Sequence, residues 1–133
     1  MMKKVIPILL TLLIFLTSTC FAAYEPDPAR WVWLGSDDEV GMFLDKETIE
    51  YSADGNTVDF WICYVVPQKN EHAILNQKLN KNTRILTITH ITIYDSTSKK
   101  SILSYTYEPW EQESQKIIPD TNGEILYRYF FPK

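Results

Sequence analysis

Cysteine is scarce in this chain. There are two, Cys20 and Cys63, and the first falls in a stretch that reads as a removable leader. Met1-Met2-Lys3-Lys4 is a short basic head, Val5 to Thr17 is almost wholly apolar, and small residues lead to Ala22-Ala23. Charge, apolar run and small-residue cleavage site, in that order, make a secretory signal peptide. The apolar run is shorter than the roughly 20 residues that span a bilayer, so no stable membrane span is expected after cleavage. Residues 1–23 are therefore read as signal peptide and residues 24–133 as a single domain. Only Cys63 then remains, which excludes an intrachain disulfide and leaves packing alone to hold an exported domain. The expected address is periplasmic, secreted or at the cell surface. Lipid anchoring at Cys20 is a minor alternative, because Leu16-Thr17-Ser18-Thr19 sets Leu one place too far from that cysteine for a lipoprotein signal.

Other scarcities narrow the chemistry. Setting aside Lys3 and Lys4 takes the formal charge from −4 to −6. That disfavours nucleic acid and anionic lipid, both of which need a basic face. Four glycines lie scattered at turns and make no phosphate loop. No Gly-x-Ser-x-Gly elbow surrounds a serine. The two histidines, His72 and His90, sit in no metal-ligand spacing. Asp37-Asp38-Glu39 is a run of adjacent acids, whereas a calcium loop spreads its ligands over alternate positions around a glycine. No cofactor and no enzymatic activity are expected. The alternative is a small periplasmic metal-binding protein or enzyme using His72 and His90, should a hairpin bring them together.

What is abundant is β-branched and aromatic sequence. Thr57 to Val66 carries one charge, Asp59. At period two, Val58, Phe60, Ile62, Tyr64 and Val66 share one face, and Trp61, Cys63 and Val65 share the other. A strand apolar on both faces belongs in the middle of a sheet. Around it, Trp31–Leu34 and Val40–Leu44 predict a hairpin. Tyr24 to Arg30, with Pro26 and Pro28, predicts an extended lead-in. Residues 72–79 fit a short helix or a strand paired with 83–94, and the pairing is preferred. Leu103, Tyr105 and Tyr107 alternate with Ser104, Thr106 and Glu108, predicting a strand with one wet face. Trp110–Ile118 reads as a connection with room for a helical turn. Thr121 with Glu124 matches a capping box, and Ile125, Leu126, Tyr129 and Phe130 make one apolar stripe of a final helix. The fold class is α+β: an antiparallel meander sheet of about six strands with one C-terminal helix packed on a face.

That helix covers one face of the central strand. Trp61, Cys63 and Val65 on the other face are the candidate partner-binding surface, with a protein partner or a second copy of the chain as occupant. As a buried thiol, Cys63 is equally a small hydrophobe.

The landmarks resemble those of a known family. They are Arg30-Trp31-Val32-Trp33-Leu34, Val40-Gly41-Met42-Phe43-Leu44-Asp45, Thr48-Ile49, Val58-Asp59-Phe60-Trp61, Trp110, Ile117-Ile118-Pro119-Asp120-Thr121 and Glu124-Ile125-Leu126-Tyr127. In this order they resemble the surface-adhesin E-like family of small exported bacterial proteins. The resemblance implies a compact antiparallel sheet with a helix, and adhesin-like binding of host matrix or envelope protein. The chain departs from the family in lacking the cysteine pair that many members carry, and in its poor lipoprotein signal. No binding residue carries over.

Overall fold

The computed structural model describes residues 24–36 and 39–133. The expected signal peptide, Cys20 and the acids Asp37 and Asp38 lie outside those residues. The elements are β1 (Trp31–Ser36), β2 (Gly41–Asp45), β3 (Glu50–Tyr51), β4 (Thr57–Val66), β5 (Glu71–Asn80), β6 (Ile85–Asp95), β7 (Ser101–Thr106), β8 (Glu113–Lys116) and α1 (Asn122–Phe130). All strand pairs are antiparallel. The order is β1-β2-β4-β5-β6-β7, with β3 beside β4 and β8 beside β6. The fold is α+β, an antiparallel meander sheet with one C-terminal helix.

Local chemistry explains the boundaries. β4 begins after a turn in which Gly55 takes φ 73° and Asp54 Oδ1 accepts from the Asn56 amide at 3.0 Å. It ends at Pro67, which opens a short 3-10 turn closed by Asn70 in the left-handed region. Residues 72–79 are strand. β4 and β5 pair over ten positions, from Thr57↔Asn80 to Val66↔Glu71. The turn after β5 is set by Asn80, whose Oδ1 accepts from the amides of Asn82 and Thr83, both at 2.9 Å.

The core lies between α1 and one sheet face. It holds Met42, Leu44, Val58, Phe60, Ile62, Leu75 and Leu79 from the strands, with Leu126 and Phe130 from the helix. Burying Leu126 and Phe130 contributes about 2 kcal/mol each. Phe130 packs on Phe60 at 4.6 Å between ring centroids. Tyr51 donates to the Phe130 carbonyl at 3.1 Å, and Tyr127 to that of Lys81 at 2.8 Å. These two bonds tie the helix to β3 and to the β5–β6 turn.

Three expectations differ from the structure. The helical stripe is narrower than its spacing suggests, because Ile125 and Tyr129 are exposed. The 110–118 connection holds no helical turn; its residues Glu113–Lys116 form β8, which pairs with the Ile85–Ile88 half of β6. β7 is exposed at all six positions rather than on one face. Of the strands, α1 comes closest along its backbone to β1, the edge opposite β7.

Candidate functional site

The two histidines are not neighbours. His72 lies opposite Tyr94, and His90 opposite Asn76, four positions further along β5. His72 is buried. Its ring stacks on Tyr24 at 3.8 Å and on Tyr94 at 5.1 Å between centroids, and Nδ1 lies 3.0 Å from Ser96 Oγ. Burial lowers its pKa, Asp95 pulls the other way, and Lys99 adds to the lowering. Both ring nitrogens of His90 are engaged: Nδ1 with Thr106 Oγ1 and Nε2 with Thr92 Oγ1, each at 2.7 Å. Thr92 continues the chain to Ser104 at 2.9 Å. Among the described residues, no three His, Cys, Asp or Glu side chains gather as a metal site.

Trp61, Cys63 and Val65 do lie on the sheet face away from the helix, but they do not form an open surface. Cys63 is 1% exposed and Val65 4%, and only Trp61, tilted against His90 at 5.5 Å, keeps accessible surface. The lead-in supplies the cover. Tyr24 sits on His72, Pro26 is buried, and Arg30 reaches Asp45. Burial pushes the Cys63 thiol up to about 12, so almost none of it is thiolate near neutral pH. The prolines of the lead-in exclude helix and regular strand, but they carry no period that would reveal which surface it lies on.

At the root of the lead-in, Asp45 collects four contacts. Arg30 donates from Nε at 3.0 Å and Nη2 at 2.7 Å, the Glu47 amide at 3.1 Å and the Thr48 hydroxyl at 3.0 Å. Burial opposes ionisation there. The Arg30 guanidinium, the Glu47 amide and the Thr48 hydroxyl outweigh it and hold the carboxyl below its usual range. Asp45 and Thr48, two of the landmark residues, thus meet in one structural node.

A groove of about 520 Å³ runs under the N-terminus of α1, walled by Tyr64, Leu75, Leu86, Ile88 and Ile117 with Gln77 among them. Gln77 is 2% exposed, and its Oε1 has no hydrogen-bond partner among the described residues. Its amide donates toward Tyr64, partly offsetting the rise that burial causes in that phenol's pKa.

The open side of the molecule is β7 with the loop after it. Ile102, Leu103 and Tyr105 are exposed at 57%, 49% and 42%, and Trp110 at 82%. Tyr105 packs edge-on to Tyr107 at 5.0 Å and donates to Glu111 Oε2 at 2.6 Å. The other oxygen of Glu111 accepts from the Glu108 amide at 3.1 Å, so this acid braces the loop that presents Trp110. β7 contains no charged residue and no proline, the usual guards of an edge strand. Sequence alternation assigns one of its faces to the core.

No family model matches the chain, and neither a curated protein nor a solved structure does.

Proposed function

We propose that the chain is a non-enzymatic bacterial envelope or secreted protein that binds another protein, adhesin-like in manner, through β7 and the Trp110 loop. The observation that carries this reading is β7, a six-residue uncharged edge strand, exposed throughout, with Trp110 displayed beside it. An edge of this kind offers main-chain hydrogen bonds to an extended segment, while Leu103 and Tyr105 offer side-chain contacts. The basic head and apolar run at the N-terminus support export. The resemblance to the surface-adhesin E-like family supports the same reading.

The test is binding of the processed protein to purified extracellular-matrix proteins and to envelope proteins. Saturable binding that Leu103→Lys and Trp110→Ala each weaken is expected. Saturable binding to none of them, or binding indifferent to both changes, removes the reading.

A further inference from the structure

We infer that the β7 edge pairs with the β7 edge of a second copy, antiparallel across a two-fold axis. This rests on the reading of β7 as the contact surface and names its partner. The outer backbone of the strand is set by its inner ladder. The Tyr107 amide donates to Thr89 at 2.9 Å toward β6, so Leu103 and Tyr105 also turn their main-chain groups inward. Alternation then aims the main-chain groups of Ser104 and Thr106 outward.

A perpendicular two-fold through Ser104 places Ser104 opposite its own copy, with its N–H and C=O exchanged as a hydrogen-bonded pair. It also sets Leu103 of one copy opposite Tyr105 of the other on the same sheet face. Side chains directly opposite across such a pair lie in contact.

Charge selects this arrangement over a parallel one. Lys99 and Lys100 precede the strand, and Glu108 and Glu111 come after it. Neither lysine and neither acid is in an ion pair among the described residues. Antiparallel pairing carries the lysines of each copy alongside Glu108 of the other, at both ends of the interface. Parallel pairing would stack like charges at each end. The register shift at Ile102 lies between the lysines and the regular half of the strand, so the ion pairs are lateral contacts and the regular main-chain pairing runs through Leu103–Tyr105, centred on the Ser104 pair. The other edge, β1, is less suited. It carries its own register shift at Leu34, between Trp33 and Gly35, and α1 packs there, with Ile125 against Gly35.

The experiment is sedimentation of the processed protein across a wide concentration range, with Lys100→Glu, Glu108→Lys, and an equimolar mixture of the two. Wild type is expected to dimerise. Each variant alone places like charges together twice and should associate about tenfold more weakly. The mixture restores opposite charges at both ends and should recover wild-type association. Circular dichroism of each variant checks that the fold is kept.

Recovery in the mixture is an outcome that misfolding cannot produce. A wild type that stays monomeric overturns the inference, as does a dimer indifferent to both charge changes. A monomeric wild type that still binds a different protein, sensitively to Leu103→Lys, overturns the second copy and leaves the proposed function standing. A charge-sensitive dimer with no other partner does the reverse for the proposed adhesin-like role.

Discussion

Replacing Asp45 with Asn tests whether the lead-in is held by a charged node. The Asp45 side chain is 2% exposed, and that of Arg30 46%. Water can therefore take over much of the Arg30 charge when the pair is broken, and the ion pair counts for less than a fully buried one. The Glu47 amide and the Thr48 hydroxyl are less easily rescued. Asn keeps one acceptor oxygen and loses the charge, so Asp45→Asn should destabilise by about 2 kcal/mol at pH 7, and Asp45→Ala by about 3 kcal/mol. The assay is urea unfolding followed by tryptophan fluorescence. With a slope typical of this size, the Asn variant should unfold at about 1–2 M less urea. The pH dependence comes from the lowered carboxyl pKa. A carboxylate whose folded pKa is depressed stabilises fully above its unfolded value, near pH 4, and loses that contribution as pH falls through the folded value. Wild type should therefore lose more stability than Asp45→Asn on acidification below about pH 4, and the gap between them should close. A shift under about 0.5 kcal/mol at pH 7, or parallel losses on acidification, would refute the assignment of Asp45 as the anchor.

The cover over Cys63 makes a second test. The folded protein at pH 8 should resist thiol reagents, and Tyr24→Ala should speed Cys63 labelling at least about tenfold relative to the denatured chain. His72 adds a pH dependence: with a lowered folded pKa, docking is strongest above its ordinary value near 6.5 and weakens as pH falls below it. Labelling by a disulfide reagent active in acid, normalised to denatured protein, should rise over that window in wild type and stay flat in His72→Phe. Equal rates in both remove His72 as the cause. Third, Leu126→Ala should cost about 3 kcal/mol, because Leu126 is fully buried in the core. Ile125→Ala on the same helix, at a half-exposed residue whose tip rests near Gly35, should cost about 1 kcal/mol or less. Equal losses would mean that α1 packs by a different face.

Legibility in the sequence tracks the physical signal available to each element. The bounds of β4 are readable because Asp54-Gly55 and Pro67 punctuate an apolar run at both ends. β5 is ambiguous in period and is decided by the turn residues Asn80-Lys81-Asn82, which only a hairpin uses. β8 cannot be read. Glu113-Ser114-Gln115-Lys116 is polar throughout and has no apolar period. It is a strand because β7 leaves the Ile85–Ile88 half of β6 unpaired, and β8 fills it, with Thr87 Oγ1 3.0 Å from Ser114 Oγ. The capping box is half realised. Thr121 is the N-cap, but its hydroxyl donates to the Ile118 carbonyl, while Glu124 reaches back to the Asp120 amide. Of the candidate face, Trp61, Cys63 and Val65 are grouped on one side, as alternation requires. Their cover is hidden from the sequence, since a proline-rich lead-in announces what it is not, and ring stacking on His72 leaves no mark in sequence spacing.

The two faces of β4 are closed by unlike forces, and this decides where binding can be sought. The helix face is sealed by apolar packing around Phe60 and Phe130, which is insensitive to pH. The opposite face is covered at its Val65 end by Tyr24 stacked on the His72 imidazole. The lead-in is anchored one strand over, past the Leu44–Ile62 pair, by the Asp45–Arg30 node; His72 and Asp45 both titrate. Acid should therefore loosen the lead-in before the helix, adding Cys63 and Val65 to the accessible surface while the core stays intact. β7 lies outside both covers. A partner that uses β7 should bind alike whether or not the lead-in is docked. A partner that uses Trp61, Cys63 and Val65 should bind better to Tyr24→Ala and in mild acid. Comparing binding to wild type and Tyr24→Ala at pH 7 thus assigns a partner to one surface or the other, independently of its identity.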